Sequence, residues 1–163
     1  MSAKLRKKLL KQLLKRDLID GRDADICEYY MHYHPETWVD KVSSISNTLK
    51  PGFFKFLAEY EDLEYVQYVV LRKSKKLVDS FPLELVEKHR ILPLDIRKTS
   101  IVVATCNPFK KIEHEVREKT GTKAKIKYAV ATPNSIDKII EEIIPKKEKS
   151  QSILEKIKKN LNL

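Results

Sequence analysis

Glycine is scarce in this sequence, with three residues in 163, namely Gly21, Gly52 and Gly121. A P-loop (G-x-x-x-x-G-K-[ST]) and a Rossmann fingerprint (G-x-G-x-x-G) both need closely spaced glycines, because only bare backbone can wrap a phosphate tightly. None of the three glycines has that spacing. We therefore expect no ATP hydrolysis by this chain and no dinucleotide site of the Rossmann type.

Cysteine and long apolar runs are also scarce. Cys27 and Cys106 have no C-x-x-C spacing, which favours reduced thiols over a disulfide framework or a zinc site. No apolar run approaches the roughly 20 residues that cross a bilayer. The N-terminus, MSAKLRKKLLKQLLKR, lacks the apolar core and cleavage site of a secretory signal. We expect a soluble, cytoplasmic, globular protein.

The net charge of +10 is concentrated at the two ends of the chain. Residues 1–16 carry seven Lys or Arg and no acid, and residues 145–163 carry six Lys and two Glu. The part between them is close to neutral. A partner that is recognised by charge should therefore meet the termini.

The first half of the sequence has helical periodicity. A basic amphipathic helix is predicted over residues 4–17, because its leucines recur at helical spacing, at Leu5, Leu9, Leu10, Leu13 and Leu14. A second helix should end at HYHP, since the residue before Pro35 is pushed away from helical geometry. Further helices are expected around 36–43 and after KPG, while EYVQYVVL favours a short strand or an extended link. We predict a helical subdomain at residues 1–76.

The second half alternates between strands and helices. ILPLDIR, SIVVATC and AKIKYAVA predict three strands. NPFKKIEHEVREKTG predicts a helix with Asn107 as its cap, Pro108 at its first position and Gly121 as its terminator. TPNSIDKIIEEII predicts a last helix that Pro145 ends. The fold class is therefore α+β, a helical subdomain followed at 77–145 by a small α/β sandwich of about three strands and two to three helices. The charged tail, 146–163, has the apolar spacing of a short helix.

Two groups of side chains suggest chemistry, and a structural interpretation is favoured for both. Cys106 lies at a strand end beside a predicted helix N-terminus, where a thiol pKa can fall, and His89 or His114 would be its base. The simpler interpretation is a small hydrophobic residue that ends a buried strand. His32 and His34 would point apart on a helix, with no nearby acid or Cys to complete a zinc site. We expect no catalytic residue and no metal site.

The basic ends leave several classes of partner open. The pI of about 9.5 makes nucleic acid an alternative, but the cations are mostly Lys and no helix places Arg, Asn or Gln along one face. The N-terminal helix fits equally an anionic membrane surface or an acidic groove of a protein. Its leucines would face inward or toward the partner and its lysines outward. The candidate partner-binding residues are Lys4, Leu5, Lys8, Leu9, Lys11, Leu13 and Lys15.

An ordered set of segments in the second half resembles a known family. The set runs over residues 77–144 as FPLELVEKHRILPL, SIVVATCNPF, a helix ending in KTGTKAKI, a strand and ATPNSIDKIIEEI. It resembles the N-terminal domain of type II secretion and type IV pilus assembly ATPases, the MshE-type N-terminal family. LLKQLLKRDLID and SNTLKPGFFKFLAEYEDLEYV are similar to the helical part of that family, which extends the resemblance to residues 5–144.

The resemblance implies a docking and regulatory module rather than an enzyme. In the family this domain tethers a hexameric motor to the cytoplasmic part of an inner-membrane assembly protein. A family member continues into a motor with Walker motifs, so the chain, which ends at Leu163, would be a free-standing homologue or a fragment. Both imply an adaptor at the inner face of the inner membrane, with a secretion or pilus ATPase or an inner-membrane assembly protein as its partner.

Some members of the family also bind cyclic di-GMP through two R-L-G-x-x-L-x-x-x-G segments. The corresponding positions here are Lys8, Leu9, Leu10 and Asp17 in the first copy, and about Trp38, Val39, Asp40 and Asn47 in the second. The arginine and both glycines are missing, while apolar Leu13 and Leu18 remain. The resemblance therefore implies no cofactor here and leaves cyclic di-GMP as an alternative ligand.

Overall fold

The computed structural model of the chain describes residues 1–46, 49 and 52–161, with the backbone alone for residues 145–154. The N-terminal half is helical and comprises α1 (Ala3–Lys15), α2 (Gly21–Tyr33), α3 (Trp38–Ile45), α4 (Gly52–Tyr60), α5 (Tyr68–Lys73) and the 3₁₀ helix η1 (Ser74–Ser80). The second half comprises α6 (Leu83–His89), β1 (Ile91–Ile96), β2 (Ser100–Thr105), α7 (Glu113–Thr120), β3 (Lys125–Val130) and α8 (Pro133–Leu161). The predicted α+β fold class is confirmed.

The three strands form one mixed sheet in the order β1-β2-β3. β1 and β2 are antiparallel, and β2 and β3 are parallel, joined through α7. The register of β1 shifts between Pro93 and Asp95. A proline has no backbone N–H to give to the ladder, so it is tolerated on an edge strand such as β1, next to an irregularity.

One hydrophobic core runs through both halves of the chain. It includes Leu9 and Leu13 of α1 as well as Ile136 of α8. The buried Trp38 ring joins the halves, because its centroid lies 6.1 Å from that of Phe53 in α4 and 5.4 Å from that of Phe109, which follows β2. The division at residues 76 and 77 stays a prediction.

Two helices end where local sequence signals predict. α2 ends at Tyr33, before Pro35. α7 is closed by Gly121, which has a φ of 66° and donates its N–H to the Arg117 carbonyl at 2.8 Å. A residue in the left-handed conformation lets the chain leave the helix at this position. Glycine is suited to it because it has no Cβ that would clash in that conformation.

One expectation from local sequence holds only in part, and another was wrong. In EYVQYVVL the first four residues, Glu64 to Gln67, are an extended link that bonds to Val130 of β3, but α5 begins at Tyr68. Burial of Leu71 on one side of a helical turn outweighs the β propensity of its neighbours. The last helix does not stop at Pro145 but continues to Leu161. A proline removes one helical hydrogen bond, and the strong helix formers after it can carry the helix onward.

Candidate functional site

The basic face of α1 is the first candidate site. Lys4, Lys8, Lys11 and Lys15 are all exposed, as predicted for residues that face outward. The leucine stripe divides into two parts. Leu9 and Leu13 are 0% exposed and belong to the core, whereas Leu5 is 47% exposed. Of the three predicted leucines, Leu5 is therefore the one whose side chain a partner could contact, and the other two fix the helix in place.

α1 is capped at its N-terminus and attached to α4 just after its C-terminus. At the N-terminus the Ser2 hydroxyl accepts a hydrogen bond from the Leu5 N–H at 3.2 Å and caps the helix. Just after the C-terminus the Arg16 guanidinium bonds to Glu59 at 3.1 Å and lies 4.8 Å from the centre of the Phe56 ring. Asp17 then turns the chain with a φ of 54°. The lysine face is thus presented on a helix that is ordered before any partner arrives.

A groove of about 350 Å³ adjoins the N-terminal end of α1. Leu5 lines it together with Pro35, Tyr60 and Phe109, and Glu36 and Glu61 add carboxylates. The groove therefore brings Leu5 together with residues from the α2 to α3 link, from the end of α4 and from the segment after β2. Sequence reasoning missed this groove, because its walls come from four separate segments of the chain.

The turn that begins at Asn107 is not a helix cap, and that prediction was wrong. α7 begins at Glu113, and residues 107–112 form an irregular segment before it. The Asn107 side chain is 1% exposed, and its Oδ1 accepts from the Phe109 N–H at 3.1 Å. Its Nδ2 donates to the Glu36 carbonyl at 2.7 Å and to the Asp40 carboxylate at 2.9 Å. The amide ties the turn to α3 instead of starting α7.

The distance in sequence explains why this role was missed. Glu36 and Asp40 lie 71 and 67 residues before Asn107. An Asn-Pro pair before a helical pattern is a valid cap signal, and no local signal reports a partner so far away. Only the packing of α3 against the end of β2 brings these groups together.

Cys106 lies buried at the end of a strand. It follows β2 directly and is 1% exposed, which confirms the simpler interpretation. Burial, with the nearby Asp40 carboxylate, raises the pKa of the thiol to about 12. The Sγ–H donates to Asp40 at 3.7 Å. Burial likewise raises the pKa of Cys27 to about 12. A raised pKa keeps a thiol protonated at neutral pH and so disfavours a thiolate nucleophile.

The histidines do not converge on a catalytic or metal site. His114 is exposed and pairs with Glu118, while buried His89 has its Nε2 3.0 Å from Glu115. His32 and His34 are both exposed. Within the described ranges there is no group of three His, Cys, Asp or Glu side chains that could hold a metal. In the same part of the chain no helix is both long and apolar enough to cross a membrane.

Several residues at the positions of the two cyclic di-GMP segments are buried or form contacts within the fold. In the first, Leu9 is buried, and Asp17 occupies the left-handed turn that the motif fills with glycine. In the second, Trp38 and Val39 are buried, and Asp40 accepts from Asn107. Asn47 lies outside the described residues.

Comparison with known proteins agrees with the fold. A family model described as the MshEN domain matches residues 61–150. The structure of MshE with cdg is similar with a TM-score of 0.57 and 12% identity, over 82% of this chain and 96% of that one. The N-terminal domain of XpsE gives a TM-score of 0.53 and 17% identity, over 86% of this chain and 95% of that one. No curated protein matches the chain. At these identities the two structures support the fold alone.

Proposed function

Because the chain belongs to the MshEN domain family, the MshE-type N-terminal domain of secretion ATPases, we propose that it is a non-catalytic docking module. Its partner would be a protein component of a type II secretion or type IV pilus machine. The observation that carries the proposal is the lysine face of α1, which is held in place by buried Leu9 and Leu13. Its place of action would be the cytoplasm, at the inner face of the inner membrane.

The lysine face is suited to an acidic protein surface. Lys4, Lys8, Lys11 and Lys15 recur every three or four residues, so they lie along one side of the helix. Among the described residues, none of these lysines has an acidic partner. Since the helix is already ordered, a partner would not have to fold it, which lowers the entropic cost of association. Opposite charge on the partner would raise the rate of encounter and fix the orientation.

The neighbouring groove would add an apolar anchor to this electrostatic contact. Leu5 is exposed at its edge, and Phe109 forms part of its wall. Interfaces commonly combine a small apolar centre with a charged rim. Leu5 and the lysines together therefore offer both parts of a docking surface.

The test is a pull-down from a native lysate with the tagged chain and its Lys8→Glu/Lys11→Glu variant. The matched control is Lys98→Glu/Lys123→Glu, which makes the same charge change at two exposed lysines away from α1. We expect the chain and the control to recover a secretion or pilus component identified by mass spectrometry. The α1 variant should lose it, with about tenfold weaker binding when the component is purified and titrated.

Two outcomes would contradict the proposal. Recovery of no motor or membrane-assembly component by the unmodified chain would remove the docking function. Equal recovery by the α1 variant and by the control would move the contact away from the lysine face. Circular dichroism of each variant establishes that the fold is intact before the comparison is made.

Cyclic di-GMP binding is the second candidate, and the fold likeness to MshE solved with cdg favours testing it. The side chains of this chain oppose it. Lys8 replaces the motif arginine, and the Asp40 carboxylate already accepts from Asn107 at 2.9 Å. A carboxylate also repels phosphate. Calorimetric titration with cyclic di-GMP tests this candidate directly. Titration with a random duplex at two salt concentrations tests nucleic-acid binding, because phosphate contacts weaken steeply as salt rises. We expect no binding of the dinucleotide.

A further inference from the structure

A second concave surface lies between α5, η1 and α8, well removed in sequence from α1. The cleft has a volume of about 620 Å³. Both cations and apolar side chains line it, and these are Arg72, Lys73, Lys75, Lys76, Val78 and Ile143. A cleft of this size admits several side chains of a ligand.

The walls of this cleft are held by the fold. Lys75 of η1 bonds to Glu142 of α8 at 2.8 Å across the cleft. Between α5 and α8, the Lys138 ammonium lies 5.6 Å from the centre of the Tyr68 ring. Leu71 of α5 is fully buried. The cleft is therefore formed before a ligand enters, so little ordering is needed for binding.

The charge of the cleft is unbalanced. Of the side chains that the structure describes, four cations line it together with two acids, Asp79 and Glu142. Among the residues that the structure describes, Arg72, Lys73 and Lys76 have no acidic partner. All three are exposed and lie within five consecutive residues. Like charges held this close repel one another, and an acidic ligand would relieve that repulsion.

Exposed apolar side chains stand beside these cations. Val69 and Val70 of α5 are 62% and 50% exposed. Inside the cleft, partly buried Ile143 adds apolar surface, whereas Val78 lines the cleft but is 3% exposed and belongs to the core. Phosphates gain nothing from apolar surface, whereas a polypeptide that carries both carboxylates and aliphatic side chains would use the cations and the valines together.

We propose that this cleft binds an acidic, partly apolar polypeptide segment of a partner protein. Its carboxylates would pair with Arg72, Lys73 and Lys76, and an aliphatic side chain would rest on Ile143. A concave cleft favours an extended polypeptide segment over the flat surface of a bilayer. Apolar side chains beside the cations favour a polypeptide over a nucleic acid duplex, whose contacts would be made to phosphates. This site is separate from the lysine face of α1 and adds a second contact.

The test uses the full chain and a display library of random peptides. Panning should enrich peptides that combine Asp or Glu with aliphatic residues. The enriched peptide, labelled and titrated by fluorescence anisotropy, should bind the Arg72→Glu/Lys76→Glu variant about tenfold more weakly than the unmodified chain. The Lys98→Glu/Lys123→Glu control should bind it normally. Lys75 is left unchanged because it holds Glu142.

Several results would overturn the inference. The first is enrichment of peptides without an acidic bias, and the second is equal affinity of the enriched peptide for the chain and for the Arg72→Glu/Lys76→Glu variant. A third is that acidic peptides do not bind, while the unmodified chain binds duplex DNA or anionic vesicles and the Arg72→Glu/Lys76→Glu variant does not. If Lys8→Glu/Lys11→Glu alone abolished peptide binding, the peptide would lie on α1, which would contradict the cleft and support the docking face.

Discussion

Replacement of Asn107 by alanine should remove the link between the turn after β2 and α3. The substitution deletes three hydrogen bonds of the side chain, at 2.7 Å to Glu36, 2.9 Å to Asp40 and 3.1 Å from Phe109. A neutral bond contributes about 1 kcal/mol and one to a charged group about 1.5–3 kcal/mol, so we expect a loss of about 3–5 kcal/mol. A domain of this size has a free energy of unfolding of about 8–24 kcal/mol, so the loss is a large fraction of it.

Urea unfolding measures this loss directly. With a slope of about 2 kcal/mol per molar urea, the midpoint should fall by about 1.5–2.5 M. The matched control is Asn134→Ala, since Asn134 is exposed at the start of α8 and its side chain makes no hydrogen bond to any residue that the structure describes. That control should change stability by no more than about 0.5 kcal/mol. Equal midpoints for the two variants would refute the structural role of Asn107.

The Asn107→Asp variant adds a test through pH. It places a second carboxylate beside Asp40, at the 2.9 Å contact that the amide now makes. Like charges this close raise the pKa of the pair. A carboxyl group whose pKa is raised on folding stabilises the fold at pH values below its unfolded-state pKa. That stabilisation is lost as pH rises through its folded-state pKa. The deficit of this variant relative to the unmodified chain should therefore grow from acidic to neutral pH, and a deficit that is constant with pH would contradict the geometry.

Three further outcomes are expected. Leu13→Ala should lower the free energy of unfolding by about 2–5 kcal/mol because the side chain is fully buried, whereas Leu5→Ala should leave stability nearly unchanged and weaken partner capture. Equal effects of the two on stability would contradict the division of the leucine stripe. Hydrogen bonds from His89 and Lys88 lower the pKa of Glu115 to about 2. Because that pKa is depressed on folding, the stability advantage over Glu115→Gln should be present at neutral pH and disappear as pH falls from about 4 toward 2. Alkylation of Cys106 should be far slower in the folded chain than in urea, and equal rates would contradict its burial.

Features that depend only on neighbouring residues could be predicted from the sequence. Gly121 ends α7 as its position after a helical pattern predicts, because glycine is the residue that reaches a left-handed conformation without strain. The exposure of Lys8 and Lys11 on the same helix as buried Leu9 and Leu13 follows from helical periodicity alone. These are properties of neighbours within about one or two turns, and a sequence displays them directly.

The sequence by itself determined the class of fold, the basic face of α1 and the absence of glycine-rich phosphate loops. Only the tertiary structure decided that the Asn107 amide is used by α3, that Leu5 borders a groove with Phe109, and that Arg72 and Lys76 share a cleft with Ile143 of α8. The physical reason is distance along the chain. Periodicity and caps act between neighbours, whereas these contacts join residues that become close only when the core that both halves share is formed.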